Sequence, residues 1–181
     1  MTIKYLKKGK NDSDKALEDA SVSETVKKTL KMIKEGGDKA VRELSEKFDN
    51  YSPKSFKLSL SEINDLIDKV PSRDLEDIKF AQEQIRNFAQ AQRDSMQDIE
   101  IETMPGVILG HKNIPVQSVG CYVPGGKFPM VASAHMSIVT ANVAKVPRII
   151  ASTPPFQGKP NPAVIAAMHL GGAHEIYILG G

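Results

Sequence analysis

The feature that most constrains this fold is an alternation of short apolar stretches and helical stretches over residues 118–181. Strands are predicted at 118–123, 148–153 and 175–179, with helices at 133–145 and 161–170 between them. Strands joined through helices pair in parallel, so the pattern predicts an α/β fold with a partial, parallel, Rossmann-like sheet. Each strand is followed by proline or glycine, and the three strand ends are expected along one edge, where open α/β sheets bind ligands.

The preceding part of the chain is predicted to be helical. Ser21-x-x-Glu24 and Ser59-x-x-Glu62 match the capping box, in which side chains satisfy free amides at a helix start. Gly36-Gly37 is expected to end the first of these helices. Ser72 follows a proline and is predicted to begin the longest helix.

Three regions are therefore predicted. Residues 1–20 form an N-terminal arm, residues 21–117 a helical region, and residues 118–181 an incomplete βαβαβ nucleotide-binding half-domain. Within the helical region, short strands at 99–103 and 107–114 flank a Pro-Gly turn.

Composition excludes several classes of function. A net charge of +2, with dispersed Lys and Arg, does not indicate a nucleic-acid partner. The single cysteine, Cys121, excludes an internal disulfide and a cysteine-rich metal cage. No apolar run approaches the ~20 residues of a membrane span, and the N-terminus lacks the apolar stretch of a signal peptide. We expect a cytoplasmic protein without a membrane partner.

The turn after the first parallel strand, Pro124-Gly125-Gly126, is the best local candidate for a ligand site. Glycines allow a close approach of the backbone, and a helix start beyond them offers free amides that suit a pyrophosphate. Strand-to-helix turns also use glycine for steric reasons alone. Tyr122 precedes the turn, where its ring is either a contact for a nicotinamide or adenine ring or a half-buried strand residue.

Other chemistry-bearing residues carry weaker signals. None of the four histidines has a partner at the helical spacing of a zinc site, and Cys121 has no neighbouring base that would make it a nucleophile. His135, just past the glycine turn, is the one histidine with a candidate functional role. The chain contains neither Gly-x-Gly-x-x-Gly nor a P-loop.

Several separated segments, in the right order, resemble the histidinol dehydrogenase family. The segment Ser118-Val-Gly-Cys-Tyr-Val-Pro-Gly-Gly126 is similar to the family's Val-Gly-x-Tyr-Val/Ile-Pro-Gly-Gly motif. The likeness spans roughly residues 20 to 181, and its further segments lie at 36–40, 44–49, 105–107, 149–155, 163–167 and 172–181.

The resemblance implies a fold akin to aldehyde dehydrogenases and a homodimeric, zinc- and NAD-dependent oxidoreductase. Such enzymes oxidise a primary alcohol through an aldehyde to a carboxylate with two NAD molecules. It implies a cofactor contact at Tyr122, beside the turn residues Pro124, Gly125 and Gly126 that the local pattern already makes cofactor-binding candidates. The family's catalytic Glu-His pair and zinc ligands have no counterpart here and are expected beyond Gly181, so the fragment by itself is expected to be inactive.

The loops depart from the pattern of the biosynthetic enzymes, which convert L-histidinol to L-histidine. The segments 127–136 and 156–162 look more like the sulfopropanediol dehydrogenase branch, which oxidises a small sulfonated diol to sulfolactate. Lys127 and His135 are then candidates for binding an anionic substrate or a phosphate. The alternative is a non-catalytic nucleotide-binding module that retained only this half of the fold.

Overall fold

A computed structural model of the chain describes residue 9 and residues 11–180. Residues 1–8 and 10 of the predicted N-terminal arm and the terminal Gly181 lie outside the described residues. The predicted region boundaries at 20 and 117 stay predictions. The chain divides into two compact units, Met1–Leu44 and Ser45–Gly181. Within the described part, none of the helices combines the length and apolar character needed to cross a membrane.

The first helix, α1, covers Asp12–Asp49 and changes direction at Gly37, whose backbone is non-helical (φ 55°, ψ −141°). The predicted stop at Gly36-Gly37 is therefore confirmed as a break. The predicted start at Ser21 is wrong, because Ser21 lies inside the helix, where its carbonyl accepts a hydrogen bond from Thr25 Oγ1 at 2.9 Å. Alanines such as Ala16 and Ala20 have high helix propensity and extend the helix upstream of the capping-box pattern.

Two shorter helices follow in the second unit. The helix α2, Leu60–Ile67, has the predicted capping box, in which Glu62 N donates to Ser59 Oγ and the Glu62 carboxylate accepts from Ser59 N. The helix α3 covers Ser72–Asp94 and begins where it was predicted, with Pro71 at the N-cap position and no side-chain cap. These two helices pack against the later α/β part of the chain.

An antiparallel ribbon connects α3 to that part. Its strands are β1, Ile99–Met104, and β2, Val107–His111, joined at Gly106, which has a positive φ of 82° as the Pro-Gly turn requires. The strand β2 ends at His111, three residues before its predicted end at residue 114. Every residue of the ribbon is exposed.

A three-stranded parallel sheet forms the centre of the second unit. Its strands are β3, Ser118–Tyr122, β4, Arg148–Thr153, and β5, Glu175–Ile178, in the order β3-β4-β5. Both pairings are parallel. The predicted α/β class with a partial parallel sheet is confirmed.

The helices between the strands pack with the sheet to form the core. The first runs without a break through α4, Val131–Ala134, a π-helical turn, His135–Val139, and α5, Thr140–Val143. The second, α6, covers Pro162–Gly171, close to the predicted 161–170; Asn161 caps it, and Gly172 ends it in the left-handed conformation. Burial of apolar surface here stabilises the fold, and the largest fully buried side chains are Ile138, Ile149, Ile165, Met168, Ile176 and Ile178.

The outer edge of β5 is partly covered by an earlier segment. Leu58 N donates to Ile176 O at 2.9 Å, and Ile178 N donates to Phe56 O at 2.8 Å. Near these bonds, at the amino end of the sheet, the Glu175 carboxylate accepts hydrogen bonds from Lys57 Nζ and from the Arg148 guanidinium, at 2.8 and 2.7 Å. This cluster joins the segment before α2 to the sheet and lies away from the carboxyl ends of the strands.

Candidate functional site

The carboxyl ends of the three parallel strands lie on one edge of the sheet. Tyr122 of β3 is in register with Ser152 of β4, and Thr153 of β4 is in register with Ile178 of β5. The proline or glycine residues singled out from the sequence lie within two residues of each strand end, at Pro124, Pro154 and Gly180. The predicted common edge is therefore confirmed, and it is where a parallel sheet can receive a ligand.

Tyr122 is the last residue of β3, and its side chain is 46% exposed. Its neighbours Cys121 and Val123 are buried. Because side chains alternate across a strand, the tyrosine lies on the opposite face from these two residues. Its ring is therefore accessible next to the glycine turn and is not part of the sealed core.

The two glycines of the turn differ in their surroundings. A Cβ at Gly125 would meet Thr153 Oγ1 at 3.1 Å and Pro154 Cγ at 3.7 Å, so packing against β4 restricts this position. A Cβ at Gly126 would meet nothing within 4 Å. Neither glycine has a positive φ. Neither packing nor backbone conformation among the described residues thus requires a glycine at 126.

The rest of the turn is open to solvent. Pro124 and Lys127 are exposed. Lys127 therefore presents its ammonium group to solvent on the same loop as Gly126. Thr153, which the sequence reasoning did not single out, lies beneath the turn and is 2% exposed. The sequence feature that could have identified Thr153 is its position at a strand end, directly before Pro154-Pro155.

His135 lies in a different environment from Lys127. It is 5% exposed, in the first position of the π-helical turn, and its Nδ1 lies 3.2 Å from Gln82 Nε2 of α3. The same Gln82 nitrogen donates to Ala167 O of α6 at 2.8 Å. These contacts connect three helical elements through one buried amide.

The geometry of this buried link favours a neutral imidazole. A carbonyl oxygen can only accept, so the Gln82 group that contacts Ala167 O is the NH₂ group, which also faces His135. The imidazole Nδ1 then accepts, and its proton is on Nε2. Burial lowers the pKa of His135, which agrees with a neutral ring. The environment counts against a cationic His135, so its predicted contact with an anionic group has less support than that of Lys127.

The remaining histidines and the cysteine have structural surroundings. His111 Nε2 lies 3.0 Å from Gln97 O, and His174 Nδ1 accepts a hydrogen bond from Ile149 N at 2.8 Å. Cys121 is buried, and burial raises the pKa of its thiol. Among residues 9 and 11–180, no group of three or more His, Cys, Asp or Glu side chains could hold a metal ion.

Comparison with known proteins identifies the family. The family model described as histidinol dehydrogenase matches residues 12–181. The chain belongs to the histidinol dehydrogenase family. The fold and the edge geometry are thereby those of a family of dehydrogenases.

Individual relatives agree with this assignment. A histidinol dehydrogenase homolog from Shouchella clausii is 56% identical over 177 residues, which are 98% of this chain and 42% of that protein. A sulfopropanediol 3-dehydrogenase from Ruegeria pomeroyi is 43% identical over 182 residues, covering 100% of this chain and 41% of that protein. The chain therefore spans about two fifths of the length of these relatives.

A solved structure supports the fold. The crystal structure of histidinol dehydrogenase from Elizabethkingia anophelis superposes with a TM-score of 0.81 at 28% identity. The match covers 98% of this chain and 38% of that one. The helices and the three-stranded sheet thus correspond to part of a larger enzyme fold.

Proposed function

We propose that this chain supplies the NAD-binding edge of a histidinol dehydrogenase-family oxidoreductase, which converts a primary alcohol through an aldehyde to a carboxylate. The observation that carries the proposal is the accessible Tyr122 ring beside a turn with free space at Gly126, on the carboxyl edge of a parallel sheet. Dinucleotides bind α/β sheets at this kind of edge.

Each residue of the edge has a role that follows from its surroundings. The Tyr122 ring offers a flat apolar surface for the nicotinamide or adenine ring. Gly125 and Gly126 let the backbone approach the pyrophosphate, and Pro124 restricts the backbone that enters the turn. The exposed Lys127 adds positive charge for a phosphate or an anionic substrate. His135 is buried against Gln82, so it contributes less directly to this edge than Lys127 does.

The two cofactors of the family fit this chain differently. NAD supplies hydride acceptance, and the edge offers it an aromatic surface, a close-approach turn and a nearby cation. The described residues do not provide the three or four converging ligands that a zinc site needs. No step of the reaction through zinc is therefore assigned to this chain. The whole enzyme is proposed to be a cytoplasmic homodimer.

Two alcohols remain as substrates, L-histidinol and sulfopropanediol. The exposed Lys127 in the turn favours the anionic diol, since a sulfonate is permanently negative and a lysine ammonium pairs with it. Turnover assays with NAD and each alcohol, using the oxidoreductase that carries this segment, separate the two. NADH formation from histidinol but not from sulfopropanediol would remove the assignment to the sulfonated diol.

Calorimetric titration of the chain with NAD tests the proposed site. Tyr122→Ala should weaken NAD binding about tenfold, since stacking on an aromatic ring contributes ~1–3 kcal/mol per base. Tyr122→Phe should retain most of the affinity, because it keeps the ring. Phe88→Ala, which removes an exposed aromatic ring from α3, is the matched control and should bind like the wild type. Equal affinity of Tyr122→Ala and wild type would exclude Tyr122 from the site.

A further inference from the structure

Thr153 differs from the other buried polar residues of the described chain. Four polar side chains are buried, and three of them are hydrogen-bonded: Ser45 Oγ donates to Tyr51 O at 2.7 Å, and Gln82 contacts His135. The Thr153 hydroxyl has no hydrogen-bond partner within the described residues, although the residue is 2% exposed. Its main-chain carbonyl is satisfied by Leu179 N at 2.8 Å, so only the side chain lacks a partner.

A buried hydroxyl without a partner is unfavourable, and natural proteins seldom retain one without a reason. Among the described residues that are not exposed, every side-chain oxygen or nitrogen atom that is sealed from solvent has a hydrogen-bond partner. The Thr153 hydroxyl has no partner, so its oxygen is not fully sealed from solvent. A small opening therefore leads to the Thr153 oxygen. An external atom can reach it there.

The hydroxyl points toward the glycine turn. Its oxygen lies 3.1 Å from the position that a Cβ would occupy on Gly125, and the neighbouring Gly126 leaves open space. A side chain at Gly125 would occupy the space next to this oxygen. The absence of one keeps the hydroxyl available from the turn, at the carboxyl end of the strand beside Tyr122.

We propose that Thr153 is a ligand-binding residue whose hydroxyl donates a hydrogen bond to a phosphate oxygen of the bound dinucleotide. This inference rests on the proposed function and extends it from the turn after β3 to the end of β4. The phosphate is the expected acceptor because glycine turns at this edge admit pyrophosphate groups, and hydroxyl donors to charged oxygens form the stronger class of hydrogen bond.

Two substitutions at position 153 separate a ligand contact from a role in folding. Thr153→Val keeps the shape and removes the hydroxyl, whereas Thr153→Ser keeps the hydroxyl and removes a methyl group. In calorimetric titrations of the full chain, Thr153→Val should weaken NAD binding about 10- to 100-fold, the usual loss for one hydrogen bond to a charged oxygen, and Thr153→Ser should bind like the wild type. Without ligand, Thr153→Val should have an unchanged or higher Tm, because it no longer buries an unpaired hydroxyl.

ADP and adenosine identify the acceptor. The loss of affinity in Thr153→Val should appear with ADP, which carries a pyrophosphate, and be absent with adenosine. The same loss with adenosine would overturn the phosphate contact. A wild-type affinity for NAD in Thr153→Val, or a lower Tm without ligand, would overturn the inference while leaving the proposed function intact. Absence of NAD binding by the wild-type chain would instead remove the proposed function and the inference together.

Discussion

Replacing Gly126 with alanine tests whether the glycine turn is shaped for a ligand or for the fold. Gly126 does not have a positive φ, and a Cβ there would meet no described atom within 4 Å. Alanine should therefore fit without strain and should raise the free energy of unfolding by about 0.4–1 kcal/mol, since it lowers the entropy of the unfolded chain. If the turn receives a pyrophosphate, the same methyl group should obstruct it.

The expected loss of affinity follows from the contacts that the methyl group would break. A hydrogen bond from a backbone amide to a charged oxygen contributes about 1.5–3 kcal/mol. Losing one such bond should weaken NAD binding about 10- to 100-fold. Stability and affinity should therefore change in opposite directions in Gly126→Ala.

Gly125→Ala is the matched control for stability. Its Cβ would lie 3.1 Å from Thr153 Oγ1, and overpacking of this kind costs about 1–3 kcal/mol. Urea unfolding should show a lower midpoint for Gly125→Ala and an unchanged or higher midpoint for Gly126→Ala, and calorimetry should give the NAD affinities. A Gly126→Ala chain that folds and binds NAD like the wild type would refute the reasoning.

Three further predictions concern the fold around the site. Glu175→Gln should lower the free energy of unfolding at pH 7, because the hydrogen bonds from Lys57 and then Arg148 lower the pKa of Glu175 to about 2. In the wild type this contribution is complete above the ordinary pKa of 4.5 and is lost as the pH falls toward 2, so urea titrations across that range should show a flatter pH profile in the variant. The lowered pKa of His135 means that the unfolded chain binds the proton more readily, so the wild type should lose stability as the pH falls below about 6.5. His135→Leu should not show this loss. Ile149→Ala should cost about 2–5 kcal/mol in urea unfolding, since Ile149 is fully buried in the central strand.

Each of these three predictions has its own contradicting result. A pH profile of Glu175→Gln that matches the wild type between pH 4.5 and 2 would show that the carboxylate cluster does not contribute to stability. A stability profile of His135→Leu as steep as that of the wild type below pH 6.5 would place the titrating group elsewhere. A loss below about 1 kcal/mol for Ile149→Ala would mean that the central strand is less tightly packed than its burial indicates.

The sequence predicted those parts of the fold that depend on residues close together in the chain. The strand β4 has the predicted limits, and the helix α6 differs from its predicted limits by one residue at each end, because short apolar stretches and helical spacing are properties of neighbouring residues. The edge formed by the three strand ends followed from the requirement that strands joined through helices pair in parallel. The glycine turn was predicted as a ligand site from its residue types and its place after the first parallel strand. The structure adds the difference in surroundings between Gly125 and Gly126.

Features that depend on distant residues were not predictable in this way. The π-helical turn at 135–139 lies within a stretch predicted as an ordinary helix, and the contact between His135 and Gln82 joins residues 53 positions apart. The cover that Phe56 and Leu58 provide for β5 has no local sequence signature. The unpaired hydroxyl of Thr153 became visible only with its neighbours in place. The false start at Ser21 has the opposite cause, since a capping pattern also occurs inside a helix when upstream residues are good helix formers.

A crystal structure of the chain with NAD tests the central claim most directly. We expect the dinucleotide at the carboxyl edge of the sheet, with one of its rings against Tyr122 and its pyrophosphate within hydrogen-bond distance of the turn at Gly126 and of Thr153 Oγ1. A dinucleotide found at the amino edge beside Glu175, or in the open cleft beside Arg93 at the end of α3, would contradict it.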